Sequence, residues 1–239
     1  MRVRVDLLPR GPYPDLALVV DVLRASTSIA LLFERGASEV FVTESLRVAR
    51  ELPADLALAE REGLPPEGFF GGTSPAEILK GNFRNKTVAY TSENLPRALR
   101  AAEGAKTVLL GALVNARAAV SLAKSRAEEE IAVVAAGHRG NEALDDAVAS
   151  GFLAKKLELT LPRATLDDGA RIASALLKAF PDPQEALWRS ESGQLLARLG
   201  YTEDLAHASV ISRTRAVPLL VGVGGSSGKG VWKFIPLFA

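Results

Sequence analysis

The feature that most constrains the fold is the alternation of short apolar runs with segments of helical periodicity. Runs with the length and residue types of strands lie at 3–8, 16–23, 39–42, 55–59, 87–91, 107–113 and 131–136. The run at 16–23 (LALVVDVL) is apolar enough to be covered on both faces. Between two runs, the helix predicted at 26–35 has Ser26 or Thr27 as its expected N-cap and Gly36 as its expected stop. This alternation predicts an α/β fold with a mainly parallel, helix-covered sheet.

The second half of the chain has a different pattern. From 145 to about 200 the periodicity is helical throughout, and the apolar run at 217–223 is typical of one more strand. We therefore expect an α/β sheet domain over 1–144. Over 145–239 we expect an additional helical segment and a returning strand, packed on the same sheet.

The amino-acid composition restricts which ligands and catalytic groups the protein can use. The 29 Lys and Arg residues balance 28 Asp and Glu residues, so no basic footprint for nucleic acid is expected. The chain has no cysteine, which excludes disulfides, Cys-ligated zinc and cysteine nucleophiles. With only two histidines, any metal would be held mainly by carboxylates, which favours Mg²⁺.

The sequence also suggests where the protein works and how it assembles. Its first residues lack the apolar core of a signal peptide, and no apolar run approaches the length of a membrane span. We therefore expect a cytoplasmic protein without a membrane partner. A homodimer is the default expectation, because symmetric dimers are the commonest assemblies.

Two phosphate-binding motifs are incomplete. The segment 222–230 (GVGGSSGKG) has Val223 and Gly230 where a P-loop needs its first Gly and its Ser or Thr, so a flexible loop is predicted there. No G-x-G-x-x-G follows the first strands, which disfavours a nicotinamide dinucleotide. Candidate site residues must therefore come from elsewhere.

Ligands of open α/β sheets bind at the carboxyl ends of the strands, and the first such end carries DVLRASTS (21–28). Asp21 and Arg24 close the strand, and Ser26 and Thr27 open a helix. Free N–H groups at a helix start favour an anion, which Arg24 could grip with two hydrogen bonds. Alternatively, Ser26 and Thr27 only cap the helix and Asp21 pairs with Arg24 for stability.

A second strand end carries Glu60, which is placed to bind a cation or to act as a base, unless it is simply a solvated loop charge. The Gly-rich turn that follows joins a helix start at 71–78 (GGTSPAEI). Ser74, Pro75 and Glu77 fit the N-cap, N1 and N3 positions of a capping box. The glycines before them leave backbone N–H groups open to a phosphate.

The third strand end is AAGHRGNEALDD (135–146). A tight turn there carries His138 and Arg139, and Asp145 and Asp146 stand at the head of the next helix. Adjacent carboxylates at this place are commonly caps and dipole partners. An Asp pair near His and Arg is also what a magnesium–phosphate site requires.

In chain order, these motifs resemble the 2-phosphosulfolactate phosphatase family of coenzyme M biosynthesis. The resemblance covers nearly the whole chain and rests on DVLRASTS, Glu60-Arg61-Glu62-Gly63, Gly72-Thr73-Ser74-Pro75-Ala76-Glu77, Gly111, Asn115, Asp145-Asp146, Gly151, Gly200, Asp204 and Val217-Pro218. It implies that family's α/β fold and a Mg²⁺-dependent phosphatase. The implied substrate is a small acidic phosphoester, and the products are phosphate and sulfolactate.

The predicted mechanism is metal-assisted hydrolysis of a small phospho-acid. Asp21, Glu60 and Asp146 are the predicted Mg²⁺ ligands. The residues predicted to bind the phosphate or another anionic group of the substrate are Arg24, Ser26, Thr27, Thr73, Ser74 and Arg139. The predicted catalytic residues are Asp21, Glu60, Asp145 and His138. Among them, Asp145 or Glu60 is the candidate base and His138 is the candidate acid.

The chain departs from the family pattern at four places. Phe70 stands where the family has Asp, Thr73 where it has Asn, and Ser212 where it has Asp. The run 91–95 (TSENL) replaces Thr-Thr-Asn-Gly-Thr, so Glu93 puts a negative charge in place of a neutral amide. The alternative function is therefore a non-catalytic or repurposed member of the family that binds a small anionic metabolite.

Overall fold

The computed structural model describes residues 1–224 and 230–239, and residues 225–229 of the predicted loop lie outside them. The strands are β1 (Arg2–Asp6), β2 (Leu16–Val20), β3 (Glu39–Thr43), β4 (Leu56–Leu58), β5 (Thr87–Thr91), β6 (Thr107–Gly111), β7 (Glu130–Ala135), β8 (Thr165–Leu166), β9 (Ala216–Gly224) and β10 (Val231–Phe238). The helices are α1 (Ala25–Glu34), α2 (Leu46–Glu51), α3 (Pro75–Lys80), α4 (Leu95–Ala101), α5 (Ala116–Arg126), α6 (Leu144–Thr160), α7 (Asp168–Ala179), α8 (Pro183–Arg189), α9 (Glu191–Arg198) and α10 (Thr202–Ala208).

The strands form one sheet in the order β4-β5-β3-β10-β9-β6-β2-β7-β1-β8. Two blocks, β4-β5-β3 and β6-β2-β7-β1-β8, are parallel within themselves. The β9–β10 hairpin joins the blocks through antiparallel pairings, of which the one to β6 is a single bridge between Leu109 and Leu219. The predicted α/β fold with a mainly parallel sheet is thus confirmed.

The sheet curls, so that its two blocks share a core. Val19 of β2 and Val134 of β7 belong to the same buried cluster as Val42 of β3 and Tyr90 of β5. The opposite face of the larger block carries a second buried cluster, which α5, α6 and α7 cover. Every residue of β2 is buried, because helices or strands cover both of its faces. The curl brings strand ends of both blocks to one place.

The predicted helical segment comprises α6 to α10. Helices α6 and α7 pack together and against β1, and α8 to α10 extend from them towards α3. β9 and β10 then return to the middle of the sheet. The domain boundary at residue 144 stays a prediction. None of the described helices is both long and apolar enough to cross a membrane.

Three sequence predictions about elements were wrong. The segment predicted to be helical throughout is interrupted by the two-residue strand β8, which pairs with β1 at the edge of the sheet. Helix α1 begins at Ala25 with Arg24 as its N-cap residue, so Ser26 and Thr27 lie inside the helix and not at its cap. Strand β10 was not predicted, because Pro236 interrupts the apolar run. Pro236 is tolerated because β10 pairs with β3 only through Val231–Phe234, which leaves the proline with a strand partner on one side alone.

Candidate active site

A cleft lies where several strands end. Its wall is formed by residues that follow β2, β4, β5 and β7, and by α9 on the far side, and it encloses about 510 Å³ of space, partly open to solvent. The predicted site residues that line it are Asp21, Arg24, Glu60, Thr73, His138 and Arg139. The carboxyl ends of the strands are where the α/β pattern predicts a ligand site.

Asp21 and Glu60 both line the cleft, close enough for their charges to interact. One Asp21 oxygen accepts the Ala25 N–H at 3.2 Å, and the other lies 3.5 Å from the Ser92 hydroxyl. Burial, opposed by the Ala25 N–H and aided by the Glu60 carboxylate, raises the pKa of Asp21 to about 6. Burial also raises the pKa of Glu60, although Gly63 donates its N–H to Glu60 Oε2 at 3.0 Å. Burial therefore disfavours the ionised form of both carboxylates.

Arg24 is held in place by a buried carboxylate from a distant helix. Its Nη1 lies 3.0 Å from Asp204 Oδ2, and its Nη2 donates to the Gly63 carbonyl at 2.9 Å. The other Asp204 oxygen accepts the Ser74 hydroxyl at 2.5 Å and the Ala76 N–H at 3.1 Å. The side chain of Asp204 is fully buried, so this network fixes the guanidinium at the cleft wall.

The two adjacent aspartates of α6 lie behind the cleft. Asp146 accepts the Val22 N–H at 2.8 Å and the Gly137 N–H at 3.0 Å, so both of its oxygens bind backbone. Asp145 Oδ1 is buried without a hydrogen-bond partner, and burial raises the pKa of Asp145 to about 7. Across residues 1–224 and 230–239, no three His, Asp or Glu side chains are arranged to hold a metal ion.

The predicted phosphate-binding hydroxyls fall into two groups. Ser26 and Thr27 donate to the carbonyls of Asp21 and Val22 at 2.7 and 2.8 Å, and both side chains are buried. Both hydroxyls therefore bond to the backbone that precedes α1, although neither residue is the cap of that helix. Thr73 differs, because its buried hydroxyl at the cleft wall has no partner among the described residues. Ser74 caps α3 through Glu77 N, as predicted.

His138 and Arg139 lie at the outer end of the cleft on a tight turn. The turn is closed by paired hydrogen bonds between the backbones of His138 and Asn141. Gly137 has a φ of +74°, and a Cβ there would collide with the Asn141 carbonyl, so the turn requires glycine. The Arg139 N–H donates to the Asn94 side chain at 3.0 Å, which ties this turn to the end of β5.

Some cleft residues were not predicted as site residues. They are Glu62, Tyr90, Ser92, Glu93 and Asn94 near the strand ends, and Ser192, Leu195 and Leu196 on α9. Apart from Tyr90, which lies inside β5, the strand-end members could have been found from their position after β4 and β5. The α9 members carry no such signal, because their helix reaches the cleft only through tertiary packing.

Residues 3–222 match the family model described as 2-phosphosulpholactate phosphatase. The chain belongs to the 2-phosphosulfolactate phosphatase family. The resemblance inferred from the strand-end motifs is therefore confirmed.

Relatives in the family match almost end to end. A protein of Deinococcus radiodurans named probable 2-phosphosulfolactate phosphatase is 46% identical over 92% of this chain and 94% of its own length. A protein of Thermus thermophilus with the same name is 40% identical over 95% of this chain and 98% of its own length. A third protein with this name, from Parasynechococcus marenigrum, is 35% identical over 82% of this chain and 85% of its own length. Membership of this family supports a phosphatase.

Proposed function

We propose that this protein is a Mg²⁺-dependent phosphatase that hydrolyses a small acidic phosphoester, 2-phosphosulfolactate or a close analogue. The observation that carries the proposal is the convergence of Asp21, Glu60, Arg24 and His138 on one cleft, in a chain of this family. Carboxylates, a fixed guanidinium and an imidazole are the groups that hydrolysis of a phosphoester requires.

The charge of the cleft argues for a cation. Four carboxylates line it, those of Asp21, Glu60, Glu62 and Glu93, against the two guanidinium groups of Arg24 and Arg139. A phosphate dianion would be repelled by this excess of negative charge. A divalent cation between the phosphate and the carboxylates removes the repulsion.

Asp21 and Glu60 fit a magnesium site of the usual kind. Mg²⁺ in such sites is bound by one or two carboxylates, and water and substrate phosphate oxygens complete its shell. Each of the two side chains has one oxygen anchored by a backbone N–H. The second oxygen of Asp21 has only the 3.5 Å contact with the Ser92 hydroxyl, and that of Glu60 accepts no hydrogen bond within the described residues, so each carboxylate keeps an oxygen that can bind a cation. Asp146, whose oxygens both accept backbone N–H groups, would instead support the site from behind. The bound ion would neutralise phosphate oxygens and help to activate water.

The side chains of the protein would supply the remaining functions. Arg24, fixed by Asp204, would hold the phosphate, and the unpartnered Thr73 hydroxyl would donate to one of its oxygens. His138 would protonate the leaving oxygen at the outer end of the cleft. Because Asp145 does not line the cleft, we assign the base to Glu60, which does.

The test is phosphate release from 2-phosphosulfolactate, measured with MgCl₂ and again with excess EDTA. We expect turnover that EDTA abolishes and added Mg²⁺ restores. Glu60→Gln should lower kcat by ~10²-fold or more, since it removes a carboxylate proposed both to bind Mg²⁺ and to act as the base. The matched control is Glu142→Gln. Glu142 is exposed, follows the His138–Asn141 turn and does not line the cleft, so its substitution should leave kcat unchanged. No phosphate release under any metal condition would refute the proposal.

One observation favours a second candidate, a binding protein for small anionic metabolites. Glu93 lines the cleft and raises the pKa of Glu60, which places an extra carboxylate where the family pattern has a neutral amide. Thermal-shift measurements with phospho-acids separate the two candidates. A binding protein would be stabilised by the phospho-acid without consuming it.

A further inference from the structure

A basic groove adjoins the cleft on its outer side. It is lined by Arg61, His138, Arg139 and Arg198, together with the acidic side chains of Glu62 and Glu191. Its open volume is about 1020 Å³, about twice that of the cleft. His138, Arg139 and Glu62 line both spaces, so the groove is continuous with the cleft.

The guanidinium groups of the groove differ in how they are held. Arg61 donates to the Glu60 and Glu44 carbonyls at 3.0 and 2.6 Å, which pins its charge at the groove floor. Arg139 lies 3.6 Å from Glu62. In the part of the chain that the structure describes, Arg198 has neither an ion pair nor a side-chain hydrogen bond, and it is exposed. Arg198 is therefore available to a ligand.

We infer that this groove is the subsite for the second acidic group of the substrate, and that Arg198 selects phosphoesters that carry one. The inference rests on the proposed phosphatase function. The inner cleft is rich in carboxylates and accepts a phosphate only together with a cation, so a sulfonate or carboxylate on the same molecule must lie elsewhere. Guanidinium groups bind such planar or tetrahedral oxyanions through paired N–H donors.

The position of Arg198 suits this role. It lies in the last turn of α9, the helix whose Leu195 and Leu196 form the far wall of the cleft. A molecule with its phosphate in the cleft would extend through the shared boundary into the groove that Arg198 lines. Loss of one charged hydrogen-bonding partner weakens binding by ~10- to 100-fold.

The test compares two esters that differ only in their acidic groups, 2-phosphosulfolactate and isopropyl phosphate. For Arg198→Ala, we expect the KM for 2-phosphosulfolactate to rise at least ~10-fold more than the KM for isopropyl phosphate. The control is Arg171→Ala, the same charge change on α7 outside the groove, which should leave both KM values unchanged. An equal effect on both esters, or none, would overturn the inference.

A binding measurement separates this inference from the proposed function. Calorimetric titration with sulfolactate, in the presence of MgCl₂, needs no turnover. If the wild type binds sulfolactate and Arg198→Ala weakens that binding ~10-fold, the subsite is supported. This holds even when no phosphate is released, and in that case only the phosphatase proposal fails. Absent binding, or equal binding by both proteins, refutes the subsite.

Discussion

The buried carboxylates behind the cleft show how much a single residue can matter here. Asp145 and Asp146 are neighbours in the chain, yet one is satisfied and the other is not. Asp146 accepts two backbone N–H groups, while Asp145 has a buried oxygen without a partner. Successive residues of a helix point in directions about 100° apart, so the same residue type meets different surroundings. No sequence pattern distinguishes the two.

Asp145→Asn should stabilise the metal-free protein in a pH-dependent way. Because the pKa of Asp145 is raised to about 7 in the folded protein, the folded state holds a proton that the unfolded state releases near pH 4. The wild type therefore loses stability as pH rises from about 4 to 7, and asparagine removes that loss. The free energy of unfolding should be equal near pH 4 and higher for the variant by a few kcal/mol at pH 8. A difference independent of pH contradicts the argument.

At the scale of elements, α10 contributes to the site without lining it. Its Asp204 joins Arg24 of α1's N-cap to Ser74 at the start of α3. The sequence placed Asp204 within the family pattern but gave it no role. Its function depends on a contact between residues 180 positions apart, which local periodicity does not report.

Asp204→Asn should destabilise the protein, because it leaves a buried guanidinium without its counter-charge. We expect a loss of ~3 kcal/mol in the free energy of unfolding, measured by urea denaturation. The neighbouring Glu203→Gln is the control, since its ion pair with Lys80 is exposed and should contribute almost nothing. Equal effects of the two substitutions would show that Asp204 is no buried anchor.

The contact between α6 and α7 depends on Gly151. A Cβ at this position would lie well inside contact distance of the Ala173 carbonyl, which is backbone and cannot move aside cheaply. Although alanine favours helix, Gly151→Ala should lower the free energy of unfolding by ~2 kcal/mol through overpacking. Gly104→Ala is the matched control, because nothing lies within 4 Å of its Cβ. A stabilising effect of Gly151→Ala would show that the helices can separate.

At the scale of the whole molecule, the β9–β10 hairpin decides the architecture. It joins two parallel blocks through antiparallel pairings, with an irregularity in β10 between Lys233 and Phe234. In a flat sheet, an antiparallel joint would put the carboxyl ends of the blocks at opposite edges. The curl at this joint instead lets Asp21 and Ser92, which follow strands of different blocks, approach within 3.5 Å.

Phe234→Ala should therefore destabilise the whole fold. Phe234 is fully buried in the core cluster that the two blocks share, so we expect a loss of ~3–5 kcal/mol in the free energy of unfolding. Phe238→Ala in the same strand is the control, because Phe238 is 63% exposed and should have little effect. Calorimetric unfolding measures both. Similar losses would mean that the shared core does not hold the blocks together.

Residue order was enough to predict the strands and helices of the α/β layers, except β8 and β10, and to place Asp21, Arg24, Glu60, His138 and Arg139 at strand ends. Periodicity and strand-end position are local, so residue order carries them. The folded structure was needed to show how the sheet curls and which carboxylates line the cleft. It was also needed to show that α9 forms the far wall of the cleft and that α10 anchors Arg24. Those features depend on packing between segments that are distant in the chain. The fit of their side chains and the balance of their buried charges determine that packing, and no local sequence pattern predicts either one.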